Sequence, residues 1–141
     1  MKKLVVFSLA TILLLPLLAL GCGGGGDQTV ELSLDDFTAQ NNIVKNIELG
    51  SPGSLTVKLG SNPTTGYEWA DAEISNAAVI TQKSHDYVGP EDTELMGAPG
   101  TDVWVFDSKA TGSATIKFSY SQPWETSEPG TFTLTINVTV K

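Results

Sequence analysis

Val30, Leu32 and Leu34 alternate with polar neighbours, and the same alternation returns at Leu55, Val57 and Leu59 and at Ala114, Ile116, Phe118 and Tyr120. It is plainest over Phe132, Leu134, Ile136, Val138 and Val140, where Thr131, Thr133, Thr135, Asn137 and Thr139 fall between. A period of two belongs to half-buried strands. Weaker strands are predicted at 47–49, 67–69, 79–83 and 103–106, separated by turn-forming groups such as Ser51, Pro52 and Gly53, Thr111 and Gly112, and Glu128, Pro129 and Gly130. No segment sustains a helical period, although Asp35, Asp36 and Phe37 can start one short turn. Seven to eight short strands in about 115 residues predict an all-β antiparallel sandwich with one apolar inner face and an outer face rich in Thr and Lys.

The amino end follows a different rule. Lys2 and Lys3 precede an apolar run from Leu4 to Leu20, interrupted by Ser8, Thr11 and Pro16, that meets small residues at Gly21 and Cys22. That is the pattern of a secretory signal. Ala19, Leu20, Gly21 and Cys22 make it similar to a bacterial lipoprotein signal cut just before the Cys, although Leu is more usual in that family at the place of Ala19. The alternative is an uncleaved membrane anchor, because the run lies at the lower edge of a spanning helix. The lipoprotein resemblance implies a signal peptide over 1–21, a lipidated Cys22 and an exported protein held on the cell envelope, periplasmic or at the surface. Two or more acyl chains at Cys22 give stable anchoring, whereas one is marginal. Gly23 to Gly26 cannot bury apolar surface, so 22–27 reads as a flexible tether and 28–141 as the folded domain.

Composition narrows the function classes. The 141 residues include 8 Lys and no Arg against 16 acids, a formal charge of −8. Loss of 1–21 removes Lys2 and Lys3 and takes the exported part to −10. An acidic chain without Arg repels a phosphate backbone, so no nucleic acid is expected as partner. One Cys and one His permit neither an internal disulfide nor a zinc cluster of the usual spacing; no metal or cofactor is expected, and nothing requires more than a monomer.

Three loops break the strand pattern. The first runs Asn62, Pro63, Thr64, Thr65, Gly66, Tyr67, Glu68, Trp69. Pro63 fixes φ, Gly66 permits positive φ and Asn62 can bond its own backbone, which stiffens the loop at both ends; an ordinary inter-strand turn is the plain alternative. Trp69 is expected in the core. The second runs from Tyr87 to Thr101 and holds Gly97, Ala98, Pro99 and Gly100. It exceeds the usual hairpin connection, and two glycines would let a partner's backbone come close. With no lysine inside and no helix after, it is a poor phosphate cradle. Glu91, Asp92 and Glu94 lack calcium-loop spacing and read as a solvated acidic surface. The third holds Gln122, Pro123, Trp124 and Glu125, where Trp124 follows the end of the strand alternation and is expected to be exposed, with a simple cap on the end of the core as the plain alternative.

Taken together, NPTTGYEW at 62–69, GAPGTDVWVF at 97–106, GSATIKFSY at 112–120 and QPWE at 122–125 resemble the chagasin family of cysteine-protease inhibitors. Order and spacing agree over 28–140, and the NPTTGY stretch is the most specific part. The resemblance implies an immunoglobulin-like sandwich that is not an enzyme and that inhibits papain-like cysteine proteases reversibly through three loops at one end. Asn62, Pro63, Thr64, Thr65, Gly66 and Tyr67 would lie over the catalytic cysteine of the protease. Gly97, Ala98, Pro99 and Gly100 would clasp one side of the cleft, with Gln122, Pro123 and Trp124 on the other. The family usually carries Arg at the position of Gln122, so a charged, stacking side chain is lost there.

Two other readings compete. His85 with Asp86 and a serine could be imagined as a triad, but no GxSxG elbow is present and His85 is expected as a surface residue of a polar strand end. A non-inhibitory, envelope-anchored immunoglobulin-like module would use the same loops to bind another surface molecule.

Overall fold

The computed structural model describes residues 26–91, 96–125 and 131–141. The expected signal peptide, Cys22, Gly23 to Gly25, Asp92, Glu94 and the turn at Glu128, Pro129 and Gly130 lie outside the described residues. Strand β1 (Gln28–Leu32) leads into helix α1 (Leu34–Ala39), followed by β2 (Asn42–Leu49) and β3 (Ser54–Ser61). After a single 3₁₀ turn at Pro63–Thr65 come β4 (Glu68–Trp69), β5 (Glu73–Ile74), β6 (Ile80–Val88), β7 (Gly100–Ser108), β8 (Gly112–Ser121) and β9 (Phe132–Val140).

These strands form two sheets. One runs β1-β3-β7-β6, the other β2-β9-β8-β4 with β5 also on β8. The all-β sandwich is as the alternation predicts, with one difference of detail: the β1–β3 and β2–β9 pairs are parallel. A parallel pair needs a crossover rather than a hairpin. Here α1 supplies the passage between β1, at the edge of one sheet, and β2, at the edge of the other.

The helix also ends the alternation two residues earlier than the apolar pattern suggests, at Leu32. Leu34 is its first residue rather than a strand position. Ser33 caps it reciprocally: its hydroxyl accepts from the Asp36 N–H at 3.3 Å, and its own N–H donates to Asp36 Oδ2 at 2.8 Å. Phe37 is then carried into the core, 5.2 Å from the Trp69 ring and 5.5 Å from Phe132. These backbone and hydroxyl bonds from Ser33 hold the Asp36 carboxyl below its ordinary 3.8.

The inner faces meet at Leu55, Val57 and Leu59 from β3, Trp104 and Phe106 from β7, Ile116 and Phe118 from β8, and Leu134 and Ile136 from β9, all buried. Trp69 is buried too, and its indole N–H donates to the Gly60 carbonyl at 3.0 Å. The buried apolar side chains among the described residues run from Val30 to Val140.

Strand β6 is longer than the expected 79–83. It lies at a sheet edge and pairs only with β7, with a register shift between Gln82 and Ser84. An edge strand with a bulge needs few apolar residues, so its polar sequence hides it.

Candidate functional site

Strand register gathers the three loops at one end. Ser61, the last residue of β3, is opposite Gly100 at the start of β7, while Glu68 of β4 is opposite Ser121 at the end of β8. The loops at 62–67, 89–99 and 122–125 therefore leave from neighbouring strand ends.

The first loop is closed on itself. Thr65 N–H and Gly66 N–H donate to the carbonyls of Asn62 and Pro63 at 3.1 and 3.0 Å, and Thr65 Oγ1–H also donates to the Asn62 carbonyl at 2.7 Å. Gly66 then reverses the chain at φ +80°, a conformation that costs an L-residue about 1–2 kcal/mol. Pro63, Thr64 and Thr65 are exposed at the apex. Asn62, Gly66 and Tyr67 are half-buried, and the Tyr67 ring stacks on Tyr120 at 5.7 Å.

The other two loops rest on the first. Asn62 Nδ2 donates to the Gly97 carbonyl at 3.0 Å, and a Cβ on Gly97 would lie 3.8 Å from Thr64 Oγ1. Trp124 is held in a turn closed by the Glu125 N–H donating to the Gln122 carbonyl at 3.0 Å, and it remains 68% exposed. One edge of its indole lies over Gly66, where a Cβ would come within 2.8 Å of the ring. Glycine is needed at 66 for two reasons, the left-handed turn and the seat of Trp124.

Of the residues named from sequence, Pro63, Thr64, Thr65, Gly97, Pro99, Pro123 and Trp124 are exposed at this end; Ala98 and Gln122 are half-buried. Gly100 differs from expectation. It is buried as the first residue of β7, and a Cβ there would collide with the Tyr87 phenol and the Val88 carbonyl. Its missing side chain serves strand packing, so close access by a partner's backbone is left to Gly97.

His85 is exposed on β6, as expected of a surface residue, and it packs on the sheet beneath it. Its ring lies flat on Trp104, 4.2 Å between centroids and 7° from parallel, and Nε2 is 2.7 Å from Asp102 Oδ1. The carboxylate partner is buried Asp102, not Asp86, and the pair sits on the flank of the core. No group of three or more His, Cys, Asp or Glu converges among the described residues.

Two features of the site escape sequence reasoning. Tyr120 reads as one more core position of β8, yet its hydroxyl accepts the Asn62 N–H at 3.1 Å across 58 residues of chain. Met96, fully exposed beside Gly97, carries no local signal beyond its place in a long loop.

A model of the family described as Chagasin family peptidase inhibitor I42 matches residues 49–136, a span that includes all three loops. Chagasin of Trypanosoma cruzi is 32% identical over 74 residues, covering 50% of this chain and 66% of that protein, so the chain spans just under two thirds of that relative. Amoebiasin-2 of Entamoeba histolytica is 26% identical over 87 residues, covering 62% of this chain and 70% of that one. Among solved structures, the cysteine protease inhibitor EhICP2 from Entamoeba histolytica superposes with a TM-score of 0.65 at 21% identity, covering 82% of this chain and 97% of that one. PbICP-C, solved in complex with falcipain-2, superposes at 0.62 with 18% identity, covering 81% and 99%. At these identities the two superpositions speak for the fold. The family match takes in more than half of the chain and the strands that carry the loops, and on that ground the chain belongs to the chagasin family of peptidase inhibitors.

Proposed function

We propose that this protein inhibits papain-like cysteine proteases reversibly, with the loop end of the sandwich filling the active-site cleft. The observation that carries this is the joining of three loops at one end, where the exposed groups include Pro63, Thr64, Thr65, Gly97 and the indole of Trp124. A protease cuts a peptide held extended with its carbonyl in reach of the nucleophile. Pro63–Thr65 is instead a 3₁₀ turn followed by a left-handed glycine, so its backbone can occupy a cleft without offering an extended peptide. The first loop, closed by its own hydrogen bonds, loses little further entropy on binding, and three loops suit an interface of roughly 1,600 Å². PbICP-C, which shares the fold and is solved in complex with falcipain-2, supports this reading.

The amino end is read in the same way. We propose a signal peptide over 1–21 and a lipid on Cys22 that holds the domain at the envelope through its glycine tether. Supporting this are the charged start, the apolar run and the Ala19 to Cys22 sequence. Cys22→Ala is then expected to release the protein from the membrane fraction; an unchanged distribution overturns the anchor.

Titration of residues 27–141 against papain tests the inhibitory function. Stoichiometric loss of peptidase activity that returns on dilution is expected. No inhibition at micromolar concentration overturns it and leaves the reading as a non-inhibitory binding module standing.

A further inference from the structure

Resting on the loop end as the inhibitory surface, we propose that Asn62 is a positioning residue that fixes the gap between the first and second loops, and not itself a contact to the protease. Its polar groups are used inside the inhibitor. The Asn62 N–H donates to Tyr120 Oη at 3.1 Å, which ties the loop to β8. Its carbonyl accepts from the Thr65 N–H and hydroxyl at 3.1 and 2.7 Å. Thr64 Oγ1–H donates to Oδ1 at 2.6 Å, and Nδ2 donates to the Gly97 carbonyl at 3.0 Å.

The last two bonds explain why the residue is an asparagine. The Gly97 carbonyl can only accept, so the amide must turn its nitrogen to the second loop and its oxygen to Thr64. Serine has no planar pair of opposite groups, glutamine is one methylene too long, and aspartate offers only acceptors when ionised. The bond spans 35 residues of chain and joins these two loops directly. Gly97 itself sits at φ +79°, a turn with wide backbone freedom unless held from outside. Asn62 is half-buried behind the exposed apex of Pro63, Thr64 and Thr65, which suits a group that acts through its neighbours.

The consequence is a population effect. A second loop freed from Asn62 adopts the cleft-ready arrangement only part of the time, and apparent affinity falls by that fraction. Asn62→Asp keeps an acceptor for Thr64 and replaces the donor to Gly97 with a second acceptor. We expect the inhibition constant against papain to rise roughly tenfold, as loss of one or two net hydrogen bonds implies. The change falls on the association rate, with dissociation and melting temperature nearly unmoved. In the free domain, without any protease, ¹⁵N relaxation should show order parameters at residues 96–98 dropping toward the flexible range of about 0.6. Asn62→Ala, which removes both side-chain bonds without adding charge, should move the same two readouts.

Unchanged relaxation at 96–98 in both variants overturns the proposal, as does a loss confined to faster dissociation, the signature of a direct contact. A wild-type domain that inhibits nothing overturns the reading of the loop end itself. The relaxation measurement needs no protease, so the two failures are told apart.

Discussion

Trp104 and Trp124 stand twenty residues apart and serve opposite purposes. Trp104 is wholly buried, edge-on to Phe118 at 5.0 Å and to Trp69 at 6.4 Å, with His85 lying flat on it. Trp124 is 68% exposed and touches the fold chiefly through one edge against Gly66. The same indole therefore contributes to folding in one place and is left available to a partner in the other. Trp104 Nε1 has no acceptor among the described residues, a cost of about 1–3 kcal/mol that burial of the ring outweighs.

Substitution should separate the two. The largest effect is expected from Trp104→Ala, which should cost about 3–5 kcal/mol of folding stability in urea unfolding, since the side chains packed around the buried ring relax only partly into the gap. A loss below about 1 kcal/mol would mean that the aromatic centre repacks freely. Trp124→Ala should leave the urea midpoint in place and cost about 2–4 kcal/mol of binding to the target protease. An unchanged inhibition constant would show the third loop to be idle.

Gly66→Ala sharpens the contrast, because its methyl group would strain the left-handed turn and push on the indole at once. A binding loss of about 1–2 kcal/mol is expected. In a double-mutant cycle with Trp124→Ala the two losses should not add, since removing the indole also removes the collision. Strict additivity would show the seat to be irrelevant.

The smallest effect belongs to α1, remote from both tryptophans in role. The Asp36 carboxyl is held below its ordinary value in the folded state, so its contribution is full above the unfolded carboxyl range and is lost as pH falls through the folded value. Asp36→Asn should therefore flatten the fall in stability below about pH 4 and leave inhibition at neutral pH untouched. An identical acid limb in both proteins would remove the capping carboxylate from the account.

Most of the sandwich can be read from residues two apart. The alternations at β3, β8 and β9 place about half of the buried apolar side chains, because a strand with one face on a core must repeat with that period. Where burial on one face is incomplete the signal fades. The far half of β6 at an edge, the start of β2 at Asn42 and the two-residue β5 are polar enough to pass for loop, although 79–83 and 47–49 show as strands. The capping box at Ser33 and Asp36 does lie within a four-residue window, and it is the local sign that the chain leaves the strand before Leu34.

The loops divide along the same line. Stiffness at Pro63 and Gly66, the length of the second loop and the misplaced Trp124 are local properties of the chain, and the order of these motifs is enough to suggest the family. What each residue does is another matter. Gly100 packs under Tyr87, His85 pairs with Asp102 instead of its neighbour Asp86, and Asn62 bonds Tyr120 and Gly97 from far along the chain.

By itself the sequence determined the strands, the sandwich, the three irregular loops and the acidic, arginine-free surface, since each depends on residue chemistry within a few positions. Only the tertiary structure decided that the loops form one end, that Trp124 rests on Gly66 and that a single asparagine joins two of them. Those contacts depend on strand register, and register is fixed by the whole core closing at once rather than by any segment alone.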